Sequence, residues 1–312
     1  MSPHTPQILA ADRAEITVLV DNYIDIFVPS QKSIDLRPPF ALDRPLLAEH
    51  GFSCYIRIFA NGKEHDILLD TGLSCGCMLH NAGQLGINPA KAEAIVLSHG
   101  HFDHTGGLSS MLQTAGHQLP VVAHPDAFLS RRLQSKGKDP VNLPKLDAIA
   151  IKQHGGDIIE RPGPSVLASG HLMVTGEIER TVPFEKGFPG MEAYVGDQWV
   201  PDWILDDQAV VINIKGKGLV VISGCAHAGI INTIKYAQKI TGIEPVLGVI
   251  GGFHLTGPLF EPVIEPTIKA MKQINPEYIV PMHCTGWDAI NRFFSAMPDS
   301  CILNTVGTTY RF

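Results

Sequence analysis

Short apolar runs alternate along this chain with stretches of helical period, the pattern of layered α/β architecture. Strands are predicted at Ile16–Asn22 and Phe52–Ala60; Asn61-Gly62 is a hairpin signal that returns the chain as His65–Asp70. A helix over about Met78–Leu85 ends near Gly86, and Ala94–Ser98 reads as a buried strand. A helix at Gly107–Ala115 and a strand at Val121–Ala123 follow. Between about 126 and 205 the pattern loosens, with many Pro and Gly residues. Phe128, Phe184, Phe188, Tyr194, Trp199 and Trp203 lie there and need something to pack on. This stretch is expected to be a cap or insertion within one domain spanning 1–312. Regularity resumes with strands at Ala209–Ile214, Leu219–Ser223, Val246–Ile250 and Tyr278–Val280, and helices at Ile230–Ile240, Ile264–Ile274 and Trp287–Ala296.

Four of the apolar strands end in turns that carry histidine. Ile95-Val96-Leu97 precedes His99, Val220-Val221-Ile222 precedes His227, Val249-Ile250 precedes His254, and Ile279-Val280 precedes His283. Small residues adjoin each turn, among them Gly100, Gly224, Gly252 and Gly286. Strand ends are where open α/β sheets build their sites, so four such elbows can converge on one point.

Composition narrows the classes. A chain of 312 residues that is 45% hydrophobic and 18% charged suits a soluble globule with a sizeable core. A net charge of −7 argues against a nucleic-acid surface, which needs clustered cations. No apolar run reaches the ~18 residues of a membrane span. The opening residues, Met1-Ser2-Pro3-His4-Thr5-Pro6, lack the basic-then-apolar form of a signal segment. Six cysteines at irregular spacings predict free thiols rather than a disulfide scaffold. The expected setting is cytoplasmic and the expected partner a small-molecule substrate, with no nucleic acid and no membrane; a homo-oligomer is left open.

The chemistry concentrates in Leu97-Ser98-His99-Gly100-His101-Phe102-Asp103-His104-Thr105-Gly106-Gly107. In extended chain, residues two apart point the same way, so His99 and His101 can face one metal. After a turn, Asp103 and His104 can address a second. Imidazole and carboxylate suit one or two divalent ions: Zn²⁺ first, with Mn²⁺ or Fe²⁺ as alternatives.

His-x-His-x-Asp-His after an apolar strand resembles the hallmark of the metallo-β-lactamase superfamily, and Leu68-Leu69-Asp70-Thr71-Gly72 resembles its strand-ending Asp-Thr-Gly. The resemblance implies an α+β fold, a four-layer αβ/βα sandwich with metals at one edge of the paired sheets, and Asp70 as a support beneath them. Gly176-Glu177-Ile178, Asp207-Gln208-Ala209, Ser223-Gly224-Cys225-Ala226-His227, Gly252-Phe253-His254 and Pro281-Met282-His283-Cys284-Thr285-Gly286 look like one branch. Its members are usually labelled 7,8-dihydropterin-6-methyl-4-(β-D-ribofuranosyl)aminobenzene-5′-phosphate synthases.

On this reading the metal ligands are His99, His101, Asp103, His104, His227 and His283. Cys225 is open as a bridging or second-metal ligand, and His171, after Ser169-Gly170, is a further candidate. Asp103 is expected to hold one metal and orient the nucleophile. His254 is read as a catalytic group contacting substrate or bound water, with ligation still open. His50 and His124 are candidates for a supporting role.

The leading functional expectation is a metal-dependent hydrolase that uses a metal-bound hydroxide on a small-molecule ester, lactone or phosphoester. The alternative is a pterin-directed transferase forming a C–N bond to an arylamine phosphate, as the branch label implies. A third reading is a metal-bearing binding protein without turnover; the full set of ligand-type residues argues against it. Aromatics of the 126–205 stretch are candidates to stack on a flat ring, and Arg131, Arg132, Arg180 or Lys186 to meet a phosphate.

Overall fold

A computed structural model describes residues 6–39 and 41–312. Most of Met1–Pro6, read above for a signal segment, lies outside the described residues. Among those described, no helix is long and apolar enough to cross a membrane.

Period-2 alternation builds the centre of the molecule. In Lys63–Leu69, Ile67 and Leu69 point into one cluster and Leu68 into another. Ile95 and Val96 divide in the same way, as do Val121 and Val122. Strands buried on both faces read as continuous apolar runs, which is why their sequence shows so little polar punctuation.

The first sheet has eight strands in the order Gly156–Glu160, Leu119–Ala123, Ala94–Val96, Lys63–Leu69, Ser53–Ala60, Arg13–Val20, Thr309–Arg311 and Asp35–Leu36. The Asn61-Gly62 turn, with both residues at positive φ (52° and 74°), closes the hairpin between Ser53–Ala60 and Lys63–Leu69. The second sheet runs Ser165–Leu167, Leu172–Val174, Ala209–Ile214, Gly218–Ser223, Val246–Gly252 and Tyr278–Met282, with Ala10–Ala11 paired to Ala209–Ile214.

The sheets face each other through Ile16, Ile56, Ile67 and Val96 on one side and Ile212, Val220, Ile222 and Ile250 on the other. The helices Cys75–Gln84 and Leu108–Ala115 cover the outer face of the first sheet. Ile230–Thr241, Glu261–Ile274 and Trp287–Ala296 cover the second. The result is the expected α+β sandwich of four layers, helix–sheet–sheet–helix.

Residues 126–205 divide between two places. Gly156–Glu160 joins the edge of the first sheet, parallel to Leu119–Ala123, and Ser165–Leu167 and Leu172–Val174 join the second. Arg131–Leu133, Val141–Asn142, Met191–Val195 and Gln198–Pro201 form a separate four-stranded sheet.

The topology fixes where chemistry can occur. Lys63–Leu69, Ala94–Val96 and Leu119–Ala123 are parallel, as are Gly218–Ser223, Val246–Gly252 and Tyr278–Met282. Each set delivers its C-terminal turns to a common edge.

Candidate metal centre

Backbone geometry at these turns is unusual. Asp70, Ala226, His254 and His283 all carry positive φ (56°, 54°, 45° and 51°) without being glycine. Such conformations cost of order 1–3 kcal/mol each and persist where the surrounding structure imposes them, commonly at functional sites. At Ala226 the reversal lets Cys225 and His227 both reach the same group of side chains.

Asp70 sits beneath the cluster, fully buried. Its carboxylate accepts from Ser98 N (2.7 Å), Ser98 Oγ (2.6 Å) and His104 Nδ1 (2.7 Å). The bond from Nδ1 leaves His104 Nε2 facing inward, 3.1 Å from Cys225 Sγ and 3.2 Å from His283 Nε2. Asp103 Oδ2 completes that group, 3.3 Å from His283 Nε2 and 3.7 Å from His104 Nε2. Ligands ~2.0–2.3 Å from a tetrahedral zinc ion lie roughly 3.3–3.8 Å from one another, so these spacings suit a shared ion.

A second group holds His99, Cys225 and His227, their ligand atoms within 4.8 Å of one another. His101 adjoins it, with its ring centroid 4.5 Å from that of His99 and 4.8 Å from that of His227. His99 Nε2, His101 Nε2 and both nitrogens of His227 are buried and have no hydrogen-bond partner. Buried polar atoms left unpaired cost about 1–3 kcal/mol each, and a cation ligated by them would remove that cost. The residues present therefore fit a metal. Cys225, His254 and Cys284 form a third group that shares Cys225 with the other two.

The charge states of His99, His101 and His227 agree with ligation. Burial, then the neighbouring imidazoles, holds His99 and His227 well below the ordinary histidine range. Burial, reinforced by Arg131, lowers His101 to about 3. These rings are neutral donors at physiological pH. Burial opposes charge on Asp103, but His104 and His283 outweigh it and hold the carboxylate ionised. Burial likewise opposes charge on His104, yet Asp103 and Asp70 push it up to about 9, so ligation through its Nε2 would have to displace a proton.

All six residues expected as ligands are brought together here, and His254 joins them, its ring 4.3 Å from that of His227. Cys225, ranked behind His227 in the sequence, belongs to every group. His171 stands elsewhere, its ring 6.3 Å from that of His65 at the far end of the strand that leads to Asp70. His50 flanks the cluster, its Nε2 3.5 Å from Asp103 Oδ2. His124 instead caps the Pro125–Phe128 turn through Nδ1.

Three supporting residues had no assigned role in the sequence. Asp206 accepts from Gly100 N (2.8 Å), Asp207 from Ala228 N (2.8 Å), and Gln208 Nε2 donates to Leu97 O (2.7 Å). They brace the His99 and His227 turns. The sequence signals were two adjacent acids before a strand and the branch-like Asp207-Gln208-Ala209, neither of which named a role. Arg131 pairs with Asp202 and Asp206 beneath the same turn.

Glycine permits the close packing at two points. A Cβ on Gly224 would lie 2.1 Å from Ser98 Oγ, and one on Gly252 would lie 2.4 Å from Gly224 O and 2.6 Å from Cys284 Sγ.

Fold and site together define an enzyme with a buried set of metal-ligand residues at one edge of a paired-sheet sandwich. The chain belongs to the metallo-beta-lactamase superfamily, whose family model matches residues 51–238. It is 36% identical over 253 residues to the 7,8-dihydropterin-6-methyl-4-(beta-D-ribofuranosyl)-aminobenzene-5'-phosphate synthase of Methanocaldococcus jannaschii, covering 80% of this chain and 85% of that protein. It is 31% identical to the uncharacterized protein MJ0448 of the same organism, covering 80% of this chain and 89% of the relative. Among solved structures, Tm1679, described as a metal-dependent hydrolase of the beta-lactamase superfamily, has the same fold. The TM-score is 0.73 at 23% identity, over 95% of this chain and 98% of that one.

These relationships correct the hydrolase expectation. The functionally named relative that is 36% identical to this chain over 253 residues is a synthase, which favours the transferase alternative over hydrolysis by a metal-bound hydroxide. The error has a physical reason: the ligand motif specifies a metal site, and one metal site on one fold serves several reactions.

Proposed function

We propose that this enzyme joins a pterin to an arylamine phosphate through a new C–N bond. The observation that carries the reading is the 36% identity to the named synthase across most of both chains.

We assign His99, His101 and His227 to one metal position and Asp103, His104 and His283 to another, with Cys225 between them. A divalent ion, zinc by this donor set, would supply Lewis-acid polarisation of a substrate atom. In the coupling, the amine nitrogen's lone pair forms the C–N bond, the carbon's bond to its leaving group breaks, and one N–H proton is released. We assign His254 a part in that proton transfer; in its support, His254 Nδ1 is buried and has no hydrogen-bond partner. Asp103, ionised, holds the rings of His104 and His283 in position.

Coupling also requires that water not compete with the amine. Phe188 stacks on His227 (centroids 6.3 Å, planes 16° apart), and Phe260 meets His254 edge-on at 4.7 Å. These rings screen the imidazoles on the substrate side.

The test supplies metal-loaded protein with a dihydropterin whose reacting 6-methylene carbon bears the leaving group, together with the arylamine phosphate, and follows the coupled product and the released leaving group by mass spectrometry. Esters, lactones and phosphodiesters are run in parallel. Coupled product is the expected outcome; turnover confined to the hydrolytic substrates would overturn the proposal.

A further inference from the structure

Beside His227 and His254 lies a cavity of about 170 Å³, walled by Phe184, Phe253, Leu255, Phe260 and Val263. We infer that it holds the benzene ring of the arylamine, with the amine directed at the two imidazoles and the phosphate at Lys186. The inference rests on the coupling reading above and says which substrate occupies which place.

Size favours a single ring. An apolar cavity of ~150 Å³ accommodates benzene. Chemistry then separates the two substrates. A pterin carries ring nitrogens, an amide and an amino group around its edge, all of which need partners when buried. This cavity offers few. Its one carboxylate, Glu185, already accepts from Ile231 N (2.9 Å) and Asn232 N (2.8 Å). A benzene ring asks for no hydrogen bonds and gains from aromatic walls. The edge-on pair of Phe260 and His254 supplies such walls.

The mostly apolar lining also includes an imidazole and an ammonium, groups that suit the arylamine's amine and its phosphate. His227, which lines the cavity, is buried, and Lys186, which also lines it, is exposed. Of the four cations considered for phosphate in the 126–205 stretch, the other three are engaged. Arg131 pairs with Asp202 and Asp206. Arg132 bonds Glu192 and lies over Trp199. Arg180 donates to the carbonyls of His227 and Trp203. Lys186 makes no ion pair among the described residues and lines the cavity.

The test is steady-state kinetics on the metal-loaded full chain, with KM measured for each substrate. Phe260→Ala, which removes a wall, and Val263→Phe, which fills the space, should each raise KM for the arylamine phosphate about tenfold or more, leaving that for the pterin within about twofold. Lys186→Ala should raise KM for the arylamine phosphate but not for its dephosphorylated form. A rise in the pterin's KM instead, or wild-type constants in all three variants, would overturn the inference while leaving the coupling reading intact. Calorimetric titration with the arylamine phosphate alone separates the opposite case. Binding that is lost in Val263→Phe supports the cavity assignment even if no coupling occurs, and absence of binding to the wild-type protein overturns it.

Discussion

Replacing Asp70 by Asn changes one atom of a buried carboxylate, yet it should cost the enzyme its grip on metal. Three donors meet Asp70: Ser98 N at 2.7 Å, Ser98 Oγ at 2.6 Å and His104 Nδ1 at 2.7 Å. Asparagine keeps one oxygen, which can serve Ser98 N, and turns an amide NH₂ toward the other two. The serine hydroxyl can rotate to accept. The imidazole can accept only by losing the proton at Nδ1 and carrying it on Nε2. That nitrogen is the one facing Cys225 and His283, so the wrong tautomer removes a ligand. Loss of such an orienting partner typically weakens metal binding 10–100-fold, or roughly 1.4–2.7 kcal/mol. The assay is competition against a chelator with elemental analysis of the retained metal, and near-ultraviolet circular dichroism to confirm the fold. A folded Asp70→Asn protein that holds metal as tightly as wild type would refute the reasoning.

Three further outcomes follow from the same geometry. Gly224→Ala places a methyl 2.1 Å from Ser98 Oγ and should lower stability by about 1–3 kcal/mol in urea unfolding, with metal lost alongside. Asn232→Ala orphans the backbone N–H groups of Thr181 and Val182, each 2.8 Å from the Asn232 side-chain oxygen. It should cost about 2–4 kcal/mol and loosen the segment carrying Phe184 and Phe188, read by denaturation and limited proteolysis. Burial raises Glu185 from 4.5 to about 7, so the folded state keeps a proton there that the unfolded state has released. The contribution of this group is full below pH 4.5 and declines as pH rises to about 7, by on the order of 3 kcal/mol. Glu185→Gln should flatten the stability profile across that window, and an unchanged difference from wild type would count against it.

The site was legible because its elements are local. Each elbow is an apolar strand followed within a few residues by histidine and a small residue, and parallel strands carry such turns to one edge without further information. The rank of Cys225 was not legible, since it depends on the reversed backbone at Ala226, a conformation non-glycine residues seldom adopt. Nor was the absence of His171 from the cluster, which follows from the opposite ends of Lys63–Leu69 to which His65 and Asp70 belong. In the fold, residues 126–205 hid two kinds of structure. Gly156–Glu160 is short and half-exposed, so its pairing with Leu119–Ala123 leaves little periodicity to read. The closure of Thr309–Arg311 onto Arg13–Val20 joins the two ends of the chain and has no local signature. The reaction was the least legible feature, because a ligand motif specifies a metal site and not the reaction carried out there.

The central claim is that the converging elbows hold metal and that this metal serves C–N coupling. The most direct measurement removes metal with a chelator, returns zinc in steps, and records bound metal and coupled product in the same samples. The account predicts no product from metal-free protein and a rate that rises with bound metal to saturation at one or two ions per chain. In His101→Ala and His227→Ala both quantities should fall together. Full coupling by metal-free protein, or no coupling at any metal content, would contradict it.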